Sequence, residues 1–592
     1  MSVKVRIPTP LRGLTNNVDI VASEATSLAA CIEGLETSYP GMKERICDDT
    51  GEIRRFVNVY VNGEDVRFLE NLATPVPDGA EIAITVGERH GVLAIQNSAL
   101  RTQRDVASAA GVLFLGAQAM DISIWAMNFA LMFALALGID YALFVVHRFR
   151  GAFFGSELPA RDAVAVTMDT AGKAVLFSGL TVLVSLTAVM LVPSPAFRSM
   201  SLGIMLSVVF VLLATLTLLP AVLAKLGPKV DALSLRWVHS GEHRSPAFAR
   251  WGELLWRRPH LFGPAATLLL LLLALPVVGL KTGMPSITVV PKDDGSRTGY
   301  EQVQQAFGAG APGTLQIVSL PEDASRIAEI AEADPGIARV LPAQESATGL
   351  GLVQAVPTAD PSDDEVGRTI DRLRDALPET ALVGGAAAEN HDLEQALASR
   401  TPLVIGVVLL LGFLLLLVAL QAPLIAALGV VTNLLATGAA FGLGRLIFQD
   451  GNGAGLFGFE SQGYLDAWAP VFFFAMIFAI SMDYTVFLLA SAKEHFDRSH
   501  DPKEAMVGGL AHSGRVIFAA AAVMIAIFFT FALSGPLPPK EMGVILGLAV
   551  LLDALLVRLV LVPTLLRVFG RRAWALPRWL DRILPDVTFG HS

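Results

Sequence analysis

Of 592 residues, 53% are hydrophobic and only 17% are charged, against about 25% charged in an ordinary globular domain. The formal net charge is −10 and the basic residues fall in short loops, which argues against nucleic acid as a partner. Cys31 and Cys47 show no metal-ligand spacing and no secretory signal precedes them, so a reduced setting without a disulfide framework is expected.

The chain opens with alternating apolar runs at 3–8, 18–22, 56–61 and 80–86, with one helix near 27–38 between the second and third. Period-2 alternation reads as half-buried strands, and Asn62-Gly63 is a strong hairpin turn. Residues 1–86 are therefore expected to form an α+β domain with a β-grasp pattern. Residues 87–105 show no periodicity and read as a linker. The stretch 106–120, with Arg101 and Arg104 before it, is apolar but short. It reaches only about 22 Å at 1.5 Å per residue, so it is expected to be a shortened span that needs local bilayer thinning.

Nine stretches approach the about 20 apolar residues of a bilayer-crossing helix: 124–146, 174–192, 200–223, 261–280, 402–420, 423–447, 468–490, 516–533 and 540–563. Arg148, Arg150, the stretch from Lys225 to Arg258, Lys493, Arg515, Arg567, Arg571 and Arg572 all fall on one side. That side is expected to be cytoplasmic. With the shortened span the count becomes ten, and both termini are placed in the cytoplasm.

Two of these stretches carry an Asp-Tyr pair near their middle, Asp140-Tyr141 and Asp483-Tyr484. A carboxylate there costs roughly 2.5–3.5 kcal/mol on insertion scales, so two of them in matching places point to use. Asp in such a setting relays protons or coordinates an ion. Gly172-Lys173 matches Gly514-Arg515, and Pro220 matches Pro563, all at an offset of about 343 residues. The pattern is an internal repeat of three spans, a common way to build a transporter.

Residues 284–398 read as strand, helix, strand, strand, helix, strand, the order of a ferredoxin-like split-βαβ sandwich, placed outside the cytoplasm. Asp553 and Arg558 in the last span have no charged repeat partner. They are possible accessories, but five residues on an α-helix are about 140° apart, so no shared face is expected. Arg558 is expected to snorkel and orient its helix. Lys173 and Arg515 read as interface anchors, and Thr167 stands where a Walker glycine would be needed, so no ATP site is visible. His90, His147, His495 and His512 lack metal spacing and read as loop residues. The tail 571–592 is amphipathic and aromatic, as for a segment lying along the inner membrane surface. No metal, cofactor or enzymatic chemistry is expected.

From about residue 106 onward the chain resembles the MMPL group of resistance-nodulation-division exporters. The residues that carry this are "MDISIWAMNFALMFALALGIDYALFVVHRFR", "MDYTVFLLASAKEHF", "LLDALLVRLVLVPTLL" and "LPRWLDRILP". The resemblance implies an inner-membrane, proton-driven exporter or flippase of lipids or other hydrophobic molecules. In it, Asp140, Tyr141, Asp483 and Tyr484 would form the proton relay. The domains would be a β-grasp unit (1–86), a linker (87–105), the first membrane repeat (106–283), an extracytoplasmic porter domain (284–398), the second membrane repeat (399–570) and a cytoplasmic tail (571–592). A full member of that group carries a first porter domain and further spans before the helix with the first Asp-Tyr, and here that length is replaced.

Residues 1–86 resemble the MoaD/ThiS/CysO group of ubiquitin-like sulfur carriers through "FVNVYVNGEDVRFLENLATPVPDGAEIAITV". Such carriers act through a free C-terminal Gly-Gly. Here Gly87-Glu88 runs on into the membrane part, so binding of a cytoplasmic partner is expected rather than sulfur transfer. Two alternatives to transport stay open: a membrane-anchored ubiquitin-like binding module, and an inactive truncated fusion.

Overall fold

The computed structural model describes, apart from short gaps, residues 3–86, 123–231, 245–346 and 349–584. The linker at 87–105 and the shortened span at 106–120 lie outside the described residues, as do Gly63 and His90. The chain divides into two compact units, Met1–Leu100 and Arg101–Ser592.

In the first unit, strands β1 (Val3–Arg6), β2 (Ile20–Ser23), β3 (Val57–Val61), β4 (Glu64–Asp65) and β5 (Glu81–Val86) form one mixed sheet in the order β2-β1-β5-β3-β4. The two central strands, β1 and β5, run parallel and every other pair is antiparallel. Val3 and Val5 point inward while Lys4 and Arg6 point out, the alternation that a pleated strand imposes. Helix α1 (Leu28–Ser38) starts at Ser27, whose hydroxyl accepts from the Ala30 amide, and packs Leu28, Cys31, Ile32 and Leu35 on the sheet. Those positions make a stripe at helical spacing. Short α2 (Met42–Ile46) follows. Asn62 takes a left-handed φ of 51° in the turn that pairs Val61 with Glu64. This is the expected β-grasp arrangement, and Cys31 and Cys47 are buried and not joined in a disulfide.

Nine helices among the described residues are long and apolar enough to cross a membrane: α3 (Ala126–Gly155), α4 (Ala160–Leu191), α5 (Pro195–Val230), α7 (Pro259–Gly279), α11 (Ala386–Leu420), α12 (Pro423–Gln449), α13 (Ala469–Ser499), α14 (Pro502–Phe531) and α15 (Leu537–Trp574). They coincide with the nine expected stretches but run further at most ends. Helix α13 is buried along its whole apolar window and forms the axis of the bundle. Close backbone approach depends on glycine. A Cβ on Gly442 would lie 2.0 Å from the Leu273 carbonyl oxygen, and one on Gly543 would lie 2.5 Å from that of Phe528.

The insert between α7 and α11 holds the expected sandwich. Strands β7 (Leu315–Ser319), β8 (Ile337–Glu345), β9 (Gly351–Pro357) and β10 (Leu382–Gly384) alternate with α9 (Ala324–Ala333) and α10 (Asp364–Ala376). The sheet order β10-β7-β9-β8, antiparallel throughout, is that of the ferredoxin-like fold. Two features were not anticipated. Helix α8 (Gly295–Phe307) precedes the sandwich, capped by Asp294 on the Ser296 amide. Helix α11 begins sixteen residues before the apolar stretch and carries Ala387 and Ala388 in the sandwich core. One rigid rod therefore links the sandwich to the membrane, and the Arg374–Asp392 pair at 2.5 and 2.8 Å fastens α10 to it. That guanidinium holds the Asp392 carboxyl below the usual carboxylate range.

His147, His495 and His512 lie inside α3, α13 and α14 rather than in loops, because these helices continue past their apolar stretches. The His495 and His512 rings are 4.7 Å apart. Amphipathic helix α6 (Pro246–Arg257) packs along α14.

Candidate functional site

Helices α3 and α13 meet at two aromatic contacts, Phe129–Phe472 at 5.0 Å and Phe144–Phe487 at 4.1 Å between ring centroids. Each ring touches its own repeat equivalent. Self-contact of this kind occurs on a twofold axis, so the two repeats are related by a pseudo-twofold that passes between these helices. The second helix of each repeat reaches the other repeat's first helix, α4 packing on α13, and α14 on α3 as well as on α13.

Asp140 and Asp483 lie between the two aromatic contacts, where α3 faces α13 and each acid meets the other repeat's tyrosine. The Tyr484 hydroxyl lies beside Asp140, and that of Tyr141 beside Asp483. All four side chains are buried, none more than 4% exposed. Ser178 donates to the Tyr141 hydroxyl at 2.9 Å, which leaves the tyrosine proton free to point elsewhere. The Tyr484 hydroxyl meets the Met524 sulfur at 2.7 Å. Asp140 Oδ2 and both oxygens of Asp483 make no hydrogen bond among the described residues.

Asp553 and Arg558 belong to the same cluster. Five residues apart, they form an ion pair, Nη2–Oδ2 at 2.6 Å and Nε–Oδ2 at 2.7 Å. The expectation of separate faces fails because Asp553–Leu561 is a π-helix, whose i→i+5 hydrogen bonds stack residues five apart. The expectation that Arg558 snorkels fails too, since it is 1% exposed. Its guanidinium lies 5.2 Å from the Tyr484 ring centroid and donates to the Ser481 carbonyl. Ser481 in turn donates to Asn433 Oδ1 at 2.9 Å.

Two prolines mark where the wide turns form. Pro563 and Pro220 each follow a π segment, Asp553–Leu561 and Ala214–Leu218. A proline brings no N–H to the carbonyl four residues back and crowds it. For Pro563 that carbonyl belongs to Leu559, and the Trp251 indole N–H of α6 donates to it at 2.8 Å. The interfacial helix thus braces the turn that carries Arg558. Trp251→Phe should cost about 0.5–1.5 kcal/mol, the net worth of one hydrogen bond, read as earlier detergent-induced unfolding. An unchanged unfolding curve would show that the brace is idle.

Sequence reasoning missed Ser178, Ser481, Asn433 and Met524, which carry no signal outside the packing. Among the described residues no group of three or more His, Cys, Asp or Glu could hold a metal ion.

The architecture defines a multi-pass membrane protein built from two equivalent three-helix units around buried charge. A family model for the MMPL family matches residues 104–262 and 301–585, most of the chain, and the protein belongs to that family. A second model, for the ThiS family, matches residues 5–85. The chain is 36% identical over 501 residues to the heme uptake protein MmpL11 of Mycobacterium tuberculosis, covering 81% of this chain and 51% of that one. It is 34% identical over 505 residues to the mycolic acid-containing lipids exporter MmpL11 of Mycolicibacterium smegmatis, covering 81% and 52%. It spans about half the length of these relatives. The crystal structure of Mycobacterium tuberculosis CysO covers 14% of this chain and 99% of its own, with 43% identity and a TM-score of 0.14.

Proposed function

We propose that the chain is a proton-driven transporter that moves a lipid or another hydrophobic molecule outward across the inner membrane. The observation that carries this is the charge balance at the pseudo-twofold axis. Asp140, Asp483 and Asp553 all lie within electrostatic reach of Arg558, the one cation facing them among the described residues. An ion buried without a partner is costly. Arg558 offsets one acid, so the cluster is neutral when Asp140 and Asp483 both carry protons.

Removing those protons sets two negative charges on the seam between the repeats. Arg558 Nη1 makes no hydrogen bond among the described residues and is available to follow the new charge. A guanidinium drawn from Asp553 toward Asp483 carries the π-turn of α15 with it, and the repeats shift. Helix α11 would pass that shift to the sandwich as a rod. Tyr141 and Tyr484 supply hydroxyls across the seam through which a proton can reach either acid. The lipid exporter among the relatives supports an amphiphilic substrate, and the ThiS-like unit would supply a docking surface for a cytoplasmic partner.

The test is export of a fluorescent lipid from proteoliposomes holding the full chain, with and without an imposed pH gradient. Gradient-dependent movement supports the reading, and its absence in a well-inserted preparation overturns it. Orientation has its own test. The Arg/Lys asymmetry supports a cytoplasmic C-terminus with the sandwich outside, and a shortened span at 106–120 would bring the N-terminus to the same side. Cysteines introduced at Ser286 or Asp364 should then react with an impermeant maleimide on intact cells, while one at Ser499, the last residue of α13, should react only after permeabilisation. Labelling of Ser499→Cys from outside would reverse the topology.

A further inference from the structure

A second pair of acids lies away from this cluster, at the end of the bundle from which the sandwich emerges. Asp466 sits in β11 (Leu465–Asp466), just before α13, and Glu541 in the first turns of α15. Both are completely buried, at 0% exposure. Glu541 Oε2 accepts from the Asp466 amide at 3.3 Å, and the Asp466 carboxylate lies within electrostatic reach of the Glu541 carboxyl. Glu541 Oε1 and both carboxylate oxygens of Asp466 have no hydrogen-bond partner among the described residues.

Among the described residues no cation offsets them. The adjacent Lys540 turns its ammonium to the carbonyls of Phe457 and Gly458, at 2.7 and 3.0 Å. The other groups facing Asp466 are the Trp468 side chain and the Tyr464 phenol, neither of them a cation. Two neighbouring carboxylates buried without a counter-ion cannot both be ionised. Burial pushes Asp466 up to about 7.

The first repeat shows that an acid is not needed to hold this amide. Ser123 is the repeat equivalent of Asp466, and its amide is held at 3.0 Å by the hydroxyl of Ser199, one position along from the equivalent of Glu541. Neutral side chains make the same bond there. The second repeat has acids at a place where hydroxyls suffice.

We propose that Asp466 and Glu541 form a second proton-binding site, in which two carboxylates share a proton and so hold the joint between the sandwich and the bundle closed. Strand β11 pairs in parallel with β6 (Thr282–Gly283), which leads out of α7 into the sandwich. The amides of Leu465 and Ala467 donate to Lys281 and Gly283 carbonyls at 2.9 and 2.8 Å. Loss of the shared proton leaves two charges in one dry pocket, and separating them lifts β11 from the start of α15. This site is independent of the transport reading and is tested without a substrate.

The experiment is hydrogen exchange, read by mass spectrometry, on the full chain in nanodiscs across a pH series and corrected for intrinsic exchange rates. The acid is protonated in the closed joint at pH values where an open one is ionised. Protection at 464–467 should therefore be complete below the ordinary carboxylate range. It should fall about tenfold per pH unit above that, the slope of one linked proton, and level off once pH passes about 7. In the double variant Asp466→Asn with Glu541→Gln, which keeps the acceptor for the amide at 466 and cannot ionise at either position, protection should not vary with pH. Protection independent of pH in the unmodified chain would overturn the proposal. So would a pH profile that moves when sodium replaces choline in the buffer, since the pair would then be a cation site.

Discussion

Asp140→Asn and Asp483→Asn should each abolish gradient-driven substrate movement while the protein still inserts and folds. Asparagine keeps the size and hydrogen-bonding capacity of the acid but cannot ionise, so it freezes one protonation state. Folding should survive because the relay is neutral in that state and Arg558 keeps its partner in Asp553, 2.6 Å away. Tyr141→Phe and Tyr484→Phe should be milder, since each loses a single hydroxyl contact worth roughly 0.5–1.5 kcal/mol. Tyr484→Phe also keeps the ring face against which Arg558 rests. The measurement is lipid export from vesicles with an imposed pH gradient, alongside a pH-sensitive dye for proton flux. Full export by both asparagine variants would rule out these residues as the relay. Export lost from only one of them would mean that the two repeats do not share the work equally.

Much of this was legible because it rests on periodicity. Nine apolar stretches became nine helices, and the strand-helix order of 284–398 became the four-stranded sandwich. The repeat was legible because Asp-Tyr and the proline recur at one offset, and the contact of Phe144 with its equivalent Phe487 is its three-dimensional counterpart. Spacing failed where the backbone left the α-helix. The separation of Asp553 and Arg558 by about 140° holds only for 3.6 residues per turn, and Pro563 is the sign in the sequence that the turn widens. The buried acids Asp466 and Glu541 were invisible for a different reason. Each stands at the polar end of a span, where an acid is unremarkable, and only tertiary packing removes both from water. The start of α11 was missed because polar residues such as Glu389 and Asp392 continue a helix as readily as apolar ones when a sandwich packs on one side.

Asp553 has no charged repeat partner, yet it carries the counter-charge of Arg558. Arg558→Leu should destabilise the folded protein by about 3–5 kcal/mol, the usual consequence of stranding one member of a buried ion pair. The Ser481 carbonyl loses its donor as well. Asp553→Leu should be costly for the mirror reason, as a guanidinium at 1% exposure is left without its acid. The double variant, Asp553→Leu with Arg558→Leu, should recover most of the loss, because it leaves neither charge buried without its partner. Unfolding in a detergent titration gives the three values and their coupling. If Arg558→Leu alone is as stable as the double variant, the pair contributes nothing to the fold. Transport separates the remaining roles. A double variant that is stable and still exports with the gradient would make the ion pair scaffolding. One that is stable and inactive would place Arg558 in the relay, as the charge that answers when Asp140 and Asp483 give up their protons.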